Sequence, residues 1–371
     1  MIYLDYAATS LILPEARVAA ISAMSDEYAN ASSLHLPGRN AKRIIEDARI
    51  AVAKAMGESG AKIGEVIFTS GGTESDNMAI FGAARLMEKR IGKHIVTTEV
   101  EHDAVRAPIK RLEQEGYSVT RIKPDKRGVI TAAQIADACR EDTCLVSVMS
   151  VCNETGNIYP ISQAAAEIKR RKLPALIHTD AVQAFKSIPM SVKTSGADLI
   201  SVSSHKIGGI KGVGALWIRL GLRLPPLILG GGQEREFRSG TEPVPIIAAF
   251  GKAAEFSASV SPGLKETLMG GLAELNAEIL GSPDSPRITA FSVPGIPAEV
   301  LMNCLDAKGI CISRGSACKR GRRSHVWDAL GLPRSVYDSA VRVSFGFGST
   351  IDDVRELIKQ LGNAVKEIAH R

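Results

Sequence analysis

Residues 65–75 read EVIFTSGGTES, an apolar strand-like run that ends in two glycines and enters a helical pattern. The helical pattern continues to Lys89, and residues 94–100 return to a strand pattern. Strands that alternate with helices predict an α/β fold, with a mostly parallel sheet and helices on both faces. Further strand-like runs occur at 143–151, 175–180, 197–203 and 213–218.

Glycines and polar side chains stand at the ends of the predicted strands, where an α/β sheet binds its ligands. Gly72 and Thr73 begin the helix after the first strand, and the free N–H groups of a helix start suit a phosphate. A Gly-Gly turn before a helix can equally be a plain tight turn. Asp180 ends the run at 175–180, where a carboxylate can bind a ligand or cap a helix.

Lys206 completes this pattern. It follows the strand at 197–203 and precedes Gly208-Gly209, a setting that suits covalent chemistry between an amine and an aldehyde. Exposed lysines are common, so the prediction depends on the coincidence of a phosphate site, an acid and an amine in one sheet. Pyridoxal phosphate needs these three groups for its phosphate, its ring nitrogen and its aldehyde.

The positive charge of the chain is concentrated around one cysteine. The formal net charge is +6, and five basic residues without any acid occupy 314–323, a run that also contains Cys318. The run is either a solvated basic loop or a site where cations favour a thiolate and attract an anionic partner. Aromatic residues make up only 5% of the chain, and no nucleic-acid-binding motif accompanies the basic run.

Composition and cysteine spacing exclude several classes of protein. With 45% hydrophobic and 23% charged residues the chain is neither disordered nor collagen-like. No apolar run approaches the roughly 18 residues of a membrane helix, so no membrane association is expected. The N-terminus shows no export signal and none of the six cysteines forms a C-x-x-C pair, which predicts a cytoplasmic protein without a metal site.

Together and in order, these residues resemble the cysteine desulfurases of the nitrogen-fixation and iron–sulfur-cluster type. Those enzymes use pyridoxal 5'-phosphate and have the aspartate-aminotransferase fold. The resemblance runs nearly end to end. It is carried by Leu4–Thr9, Ser32–His35, Thr73–Asn77, Glu101-His102, Asn153–Gly156, Asp180–Gln183, Ser204–Lys206, Arg238–Thr241 and Gly315–Cys318.

The resemblance implies a fold and a role for each cofactor-binding residue. It predicts a seven-stranded sheet in a large domain at 15–248, and a small α+β domain made of 1–14 and 249–371. Lys206 would bind the cofactor covalently and move the α-proton, and His102 would stack on its ring and assist. Asp180 would pair with the ring nitrogen and Gln183 with the ring oxygen. The remaining cofactor contacts would come from Gly72, Thr73, Asn153, Ser203 and His205, and from Thr241 of the second subunit of a homodimer.

The resemblance also implies the reaction. Asn153 and Arg342 would hold the carboxylate of L-cysteine, the arginine by a two-pronged contact. Cys318, on a loop at about 311–325, would attack the substrate sulfur. The products would be alanine and a Cys318 persulfide, which passes its sulfur to a protein acceptor in iron–sulfur assembly or tRNA thiolation.

The chain departs from this family pattern at four places. Cys152 stands where the family usually has Asn, and Gln233 replaces a common His. Phe347 stands where a second Arg is frequent. The segment 319–323 is more basic than the usual Thr/Ser-rich continuation, which bears on the order of the loop and on the choice of acceptor.

Three other functions compete with this hypothesis. A related lyase, such as a selenocysteine lyase, would share the pocket motifs. A catalytically silent partner subunit would bind the cofactor, although the presence of Lys206 and Cys318 argues against it. A nucleic-acid-binding protein is supported by the basic run alone.

Overall fold

The computed structural model describes residues 1–25, 28–58, 64–257, 260–293, 295–314 and 324–369. Within these ranges the strands are β1 (Ile2–Tyr3), β2 (Gly64–Thr69), β3 (His94–Thr98), β4 (Ser118–Ile122), β5 (Thr143–Ser147), β6 (Leu176–Asp180), β7 (Leu199–Ser203), β8 (Gly214–Arg219), β9 (Glu278–Leu280), β10 (Ile288–Ser292), β11 (Ile310–Cys311) and β12 (Ala340–Ser344). The helices are α1 (Pro14–Ser25), α2 (Leu36–Ala55), α3 (Gly72–Met87), α4 (Asp103–Gln114), α5 (Ala132–Asp137), α6 (Ile161–Arg170), α7 (Val192–Ser195), α8 (Val244–Phe256), α9 (Leu264–Glu274), α10 (Ala298–Asp306), α11 (His325–Ala329), α12 (Arg334–Asp338) and α13 (Ile351–Ala369).

Seven strands form the large sheet, in the order β2-β8-β7-β6-β5-β3-β4. The five strands from β7 to β4 in this order run parallel, and β8 is antiparallel to both of its neighbours. Successive residues of a strand face opposite sides. Ile67 packs in the cluster that contains α3 and α4, whereas Val66 and Phe68 pack in the cluster that contains α1, α2 and α8. The predicted sheet with helices on both faces is therefore confirmed.

The C-terminal third adds two smaller sheets. β9, β10 and β12 form an antiparallel sheet in the order β12-β10-β9, and β1 pairs in parallel with β11. A separate hydrophobic cluster joins Leu4, Leu264 and Phe291. This arrangement agrees with a smaller α+β unit, while the exact domain boundaries at 15–248 stay a prediction.

The segment 4–9 connects the small sheets to the large one. The Ser344 main-chain N–H donates to the Leu4 carbonyl at 2.8 Å, and the Ala7 N–H donates to the Ser344 hydroxyl at 2.8 Å. Gly346 lies against the Tyr6 ring so closely that a Cβ would stand 1.9 Å from a ring carbon. A larger residue at 346 would therefore push this segment away from β12.

Helix starts show where local sequence signals succeed and fail. The last helix, α13, begins beside Thr350, whose hydroxyl accepts from the Asp353 N–H at 3.2 Å while the Asp353 carboxylate accepts from the Thr350 N–H at 2.8 Å. Ser162 is of a residue type that favours helix N-caps, but it does not cap α6. α6 begins after Pro160, and the Ser162 hydroxyl donates to Gln163 instead.

A buried ion pair joins α2, β2 and the loop after β8. The Arg49 guanidinium contacts the Glu234 carboxylate at 2.7 and 3.0 Å, and Glu234 also accepts from the Phe68 N–H at 2.7 Å. Arg49 and Glu234 side chains are 9% and 3% exposed. The pair lies at a turn in which Glu234, Arg235 and Glu236 all have positive φ. Residues with a Cβ rarely adopt this backbone conformation. The pair therefore holds a strained turn in place.

Substitution Glu234→Gln should lower the free energy of unfolding by about 3 kcal/mol, because it leaves the Arg49 charge buried without its carboxylate. Urea unfolding followed by circular dichroism measures the loss. The control is Glu167→Gln, which removes the partner of the exposed Arg170 and should change little. Equal effects of the two substitutions would contradict a structural role for the buried pair.

Candidate active site

A cavity of about 290 Å³ lies where the large sheet meets the segment 4–9 and β12. It is lined by residues that come from separate parts of the sequence. The residues predicted for the site that line it are Gly72, Thr73, His102, Asn153, Asp180, Gln183, Ser203, His205, Lys206 and Arg342.

Lys206 stands just beyond the end of β7, in the short 3-10 turn Ser204–Lys206. Its amine donates to the Ala7 carbonyl at 2.7 Å and to the Ala8 carbonyl at 2.9 Å. The amine is thus directed at the cavity wall formed by the N-terminal segment.

The first turn of α3 faces the cavity at Gly72 and Thr73. A Cβ at position 72 would lie 2.8 Å from the Val182 side chain, so the close approach requires glycine. No side chain caps this 16-residue helix, which leaves main-chain N–H groups of its first turn available to an anion.

Two more predicted residues contact the same N-terminal segment. His205 Nδ1 lies 3.1 Å from the Thr9 hydroxyl, and Gln183 Nε2 donates to the Ala7 carbonyl at 2.9 Å. Burial, and then the neighbouring Lys206 amine, lower the pKa of His205 to about 4. His205 is therefore a neutral imidazole that can donate or accept one hydrogen bond.

Asp180 ends β6 and is buried, with its carboxylate accepting from the Val182 N–H at 2.9 Å. Burial raises the pKa of Asp180, and the nearby Asp76 carboxyl raises it further. Burial also raises the pKa of Asp76 to about 7. Two carboxyls in one cavity disfavour each other's ionised form, so the site favours a cationic ligand.

Asp76 is the cavity end of a buried polar chain that crosses the sheet. The His178 ring contacts the Ser147 hydroxyl at 2.9 Å and the Ser201 hydroxyl at 3.0 Å, and its Nε2 lies 3.5 Å from Asp76 Oδ1. Burial lowers the pKa of His178 to about 4, so the ring is neutral. Asp76 Oδ1 itself is buried without a hydrogen-bond partner among the residues that the structure describes.

His102 caps α4, with its Nδ1 accepting from the Ala104 N–H at 3.1 Å. Because Nδ1 is an acceptor, Nε2 carries the proton of the neutral ring. The preceding Glu101 is fully buried, and its carboxyl accepts from the Thr98 hydroxyl at 2.8 Å and the Met149 N–H at 3.1 Å. Burial raises the pKa of Glu101 to about 8.

Arg342 is the cationic group on the β12 side of the cavity and is only 2% exposed. Its guanidinium donates to the Asn153 carbonyl at 2.6 Å and to the Asp5 carboxylate at 2.8 Å. These contacts place Arg342 beside Asn153 at the cavity, while their role in binding a substrate carboxylate stays a prediction.

One described residue that was predicted for the site, Thr241, does not line this cavity. Thr241 is exposed and lies with Arg238 at a separate pocket, where the Gln233 amide oxygen accepts from the Gly240 N–H at 2.9 Å. Cys318 and the basic segment 319–323 lie outside the described residues. Among the residues that are described, no cluster of three His, Cys, Asp or Glu could hold a metal, and no helix is long and apolar enough to cross a membrane.

The family departures have local explanations at two positions. Cys152 is buried, and burial raises the pKa of its thiol, as expected for a small apolar replacement. Phe347 packs edge-on against Tyr6 with ring centroids 6.0 Å apart. It therefore supports the N-terminal segment that contacts Lys206.

Sequence reasoning missed Asp5, Asp76, His178 and His325 as parts of the site. Asp5 and Asp76 lie within the motifs that carry the resemblance, but only their contacts show what they do. His325 lines the cavity and its Nε2 lies 2.9 Å from the Glu101 carbonyl oxygen. No pattern in the sequence brings position 325 next to position 101.

The raised pKa values of the buried carboxyls predict how the stability of the fold depends on pH. Without a bound ligand, the native state holds protons on Asp76, Glu101 and Asp180 at pH values where the unfolded chain has lost them. His178 and His205 have the opposite effect, because the unfolded chain protonates them more than the native state does, but this effect fades within about one pH unit above their ordinary pKa of 6.5. The free energy of unfolding should therefore fall as the pH rises from 6.5 to about 8.

Thermal unfolding across this range measures the slope, and Asp76→Asn should reduce it because that variant has one raised carboxyl fewer. The surface substitution Asp306→Asn is the control and should leave the slope unchanged. A parent stability that is flat or rises over this range would contradict the assignment of protonated buried acids.

Comparison with known sequences places the chain in a family. The profile described as Aminotransferase class-V matches residues 2–357. The putative cysteine desulfurase IscS 1 of Bacillus subtilis is 39% identical, over 99% of each chain. The cysteine desulfurase IscS of Methanosarcina thermophila is 37% identical, over 99% of this chain and 92% of the relative.

Solved structures agree. A NifS-like protein matches with a TM-score of 0.88 and 34% identity, over 98% of this chain and 99% of its own. SspA in complex with cysteine matches with a TM-score of 0.82 and 29% identity, over 94% of this chain and all of its own. Matches of this extent mean that the chain belongs to the class-V aminotransferase family, among its cysteine desulfurases.

Proposed function

We propose that this protein is a pyridoxal-phosphate-dependent cysteine desulfurase, which converts L-cysteine to L-alanine and retains the sulfur as a persulfide of Cys318. The observation that carries the proposal is the cavity itself. Its lining brings together the Lys206 amine, the buried Asp180 carboxyl and the Arg342 guanidinium of β12. The full-length similarity to cysteine desulfurases supports the same activity.

The residues of the cavity fit pyridoxal phosphate. Burial raises the pKa of Asp180, and a protonated ring nitrogen beside it would stabilise its ionised form. The uncapped start of α3, with Thr73, Ser203 and His205, suits the phosphate. When bound, the cofactor would act as the electron sink for the bonds broken at the substrate α- and β-carbons.

Three residues would handle the protons. Lys206 would exchange its two carbonyl contacts with Ala7 and Ala8 for the cofactor aldehyde, and would move the α-proton of the substrate. His102 would present its Nε2 proton over the cofactor ring, since its Nδ1 is occupied by the Ala104 N–H. The Gln183 amide nitrogen donates to the Ala7 carbonyl, so its amide oxygen and its second N–H would be available to the cofactor.

Arg342 would bind the substrate carboxylate. Its guanidinium is buried, and a carboxylate in such a site gains a charge-assisted contact with little competition from water. Asn153 lies next to it through its main-chain carbonyl. This contact would orient the amino acid in the cavity and leave its thiol for attack by Cys318.

The sulfur-transfer step places demands on Cys318. Its thiolate would attack the substrate sulfur and form the S–S bond of the persulfide, the C–S bond would break with its electron pair moving to the substrate carbon, and protonation of that carbon would give alanine. A thiolate is favoured by nearby cations, and 319–323 contains four of them. The same charges would attract an acidic protein acceptor.

A homodimer and a cytoplasmic location complete the proposal. Thr241 is exposed and lies away from the cavity of its own chain, which is consistent with a contact to the cofactor phosphate of a second subunit. Arg238 and Glu74 support this loop through an ion pair of 2.8 Å at the start of α3. We do not expect this protein to bind nucleic acid directly.

The test of the proposed function is direct. The purified protein should show visible absorption of the bound cofactor, and should then release equal amounts of alanine and sulfide from cysteine in the presence of a thiol reductant. Absence of both absorption and turnover after pyridoxal phosphate is supplied would contradict the proposal. Preferential alanine release from selenocysteine would indicate a selenocysteine lyase instead.

Lys206→Ala and Cys318→Ala should separate the two halves of the reaction. Lys206→Ala should lose the visible absorption of the parent together with turnover, because the amine that binds the aldehyde is gone. Cys318→Ala should retain the absorption yet lose sulfide release by at least about 100-fold. Cys311→Ala is the matched control and should retain both, since burial raises the pKa of that thiol. Sulfide release by Cys318→Ala at the parental rate would exclude the persulfide route.

Arg342→Gln should raise the KM for cysteine by at least about 30-fold, because a neutral amide cannot replace a charge-assisted contact of about 2 kcal/mol. Initial rates of alanine release over a range of cysteine concentrations give KM and kcat separately. Arg334→Gln removes an exposed arginine of the same part of the chain and should change neither. A normal KM in Arg342→Gln would remove this residue from the substrate site.

A further inference from the structure

Arg287 is a buried arginine that the proposed reaction does not use. The residue is 8% exposed, and its main-chain N–H donates to the Ser285 hydroxyl at 3.3 Å just before β10. Its guanidinium donates to the Phe345 carbonyl at 3.1 Å and to the Lys206 carbonyl at 3.2 Å. Arg287 therefore contacts, from the small sheet, the main chain of the residue that would bind the cofactor.

Within the described part of the chain, the buried charge of Arg287 lacks an acidic partner. Among the residues that the structure describes, no carboxylate lies within ion-pair distance of it, and the titratable group that acts on it is Tyr6. Burial lowers the pKa of its guanidinium to about 10, which still leaves it charged at neutral pH. Burying a cation without a counter-ion costs free energy of folding, so the position of Arg287 beside Lys206 needs an explanation.

The packing of the segment before β10 brings Arg287 close to Lys206. The Ser285 N–H donates to the Gly156 carbonyl at 2.9 Å, which docks the segment before β10 on the loop after β5. A Cβ at Gly156 would lie 2.4 Å from the Ile288 carbonyl oxygen, and Gly156 has a φ of 80°. Glycine at 156 thus permits the close contact that brings Arg287 to Lys206.

None of the described acids that line the cavity forms an ion pair with Arg287. The cavity acids are Asp76, Asp103, Glu154 and Asp180, and the basic groups are His102, His205, His325 and Arg342. Burial raises the pKa of Asp76 and Asp180, so both carry less negative charge near neutrality. Arg342 is paired with Asp5, and Lys211 adds a further positive charge near His205.

We propose that Arg287 is a positioning residue for Lys206, which holds the main chain of the lysine turn and, through its unbalanced charge, favours the neutral amine that reacts with the cofactor aldehyde. The carbonyls of Ala7 and Ala8 have the opposite effect, because they accept hydrogen bonds from an ammonium group. A like charge nearby disfavours protonation of an amine. The inference rests on the role proposed above for Lys206.

Competitive acetylation tests the proposal without turnover. The full chain, freed of cofactor by dialysis with hydroxylamine, is labelled with trace acetic anhydride between pH 6 and 11, and the Lys206 peptide is quantified by mass spectrometry. Exposed Lys110 is the internal reference. The midpoint of Lys206 labelling should lie below that of Lys110, and in Arg287→Gln it should rise by about half a pH unit or more.

Two further variants separate charge from folding. Arg287→Lys keeps the charge but loses the two-pronged guanidinium, and should keep the parental midpoint. Arg39→Gln removes a surface arginine that also donates to a main-chain carbonyl, that of Leu34, and should change nothing. A midpoint unchanged in Arg287→Gln, or shifted equally in Arg287→Lys, would overturn the charge effect.

The parent decides the question if Arg287→Gln does not fold. A Lys206 midpoint equal to or above that of Lys110 in the parent would overturn the proposal by itself. As a second readout, Arg287→Gln should combine with added pyridoxal phosphate about threefold more slowly at pH 7.5, the fall in neutral amine that half a pH unit implies. Because neither measurement needs cysteine, a failure here differs from a failure of the proposed desulfurase activity.

Discussion

The contact between the Lys206 amine and the carbonyls of Ala7 and Ala8, at 2.7 and 2.9 Å, connects positions about two hundred residues apart. The rest of the site depends on this contact, because the same short segment also accepts from Gln183 and contacts His205. Its own position depends on β12 and on the residues that follow it, because Ser344 accepts a hydrogen bond from Ala7 and Gly346 leaves room for the Tyr6 ring. The N-terminal segment is therefore a structural part of the cavity.

Burial of charge is the second constraint. Three carboxyls lie in or beneath the cavity, and burial raises the pKa of each of them, since an ionised acid there would lack water or a cation. Such a site is energetically incomplete without a cationic ligand. A cofactor with a protonated ring nitrogen would supply the missing positive charge, and the carboxylate of a substrate would contact Arg342. The geometry thus favours binding of both before any bond is broken.

The buried charges beside the large sheet, unlike those of the cavity, compensate each other. Arg49 and Glu234 are both buried, yet each satisfies the other, and together they hold a turn with three positive φ angles. Arg287 has no such partner among the described residues, and its charge acts on the turn of Lys206 through the carbonyl of that residue. A buried ion pair compensates its own charges and stabilises the fold, whereas a buried cation without a counter-ion acts on the groups around it.

The sequence by itself determined the α/β sheet, the strand ends at Asp180 and Lys206, and the helix start at Gly72. Local periodicity and glycine position depend on neighbours along the chain, so they can be read from it. The resemblance added the identities of His102 and Arg342. Only the tertiary structure decided that Asp5 holds Arg342, that Asp76 faces Asp180, and that Arg287 reaches Lys206. These contacts join residues whose separation along the chain carries no period, and whose meeting depends on how sheets and loops pack.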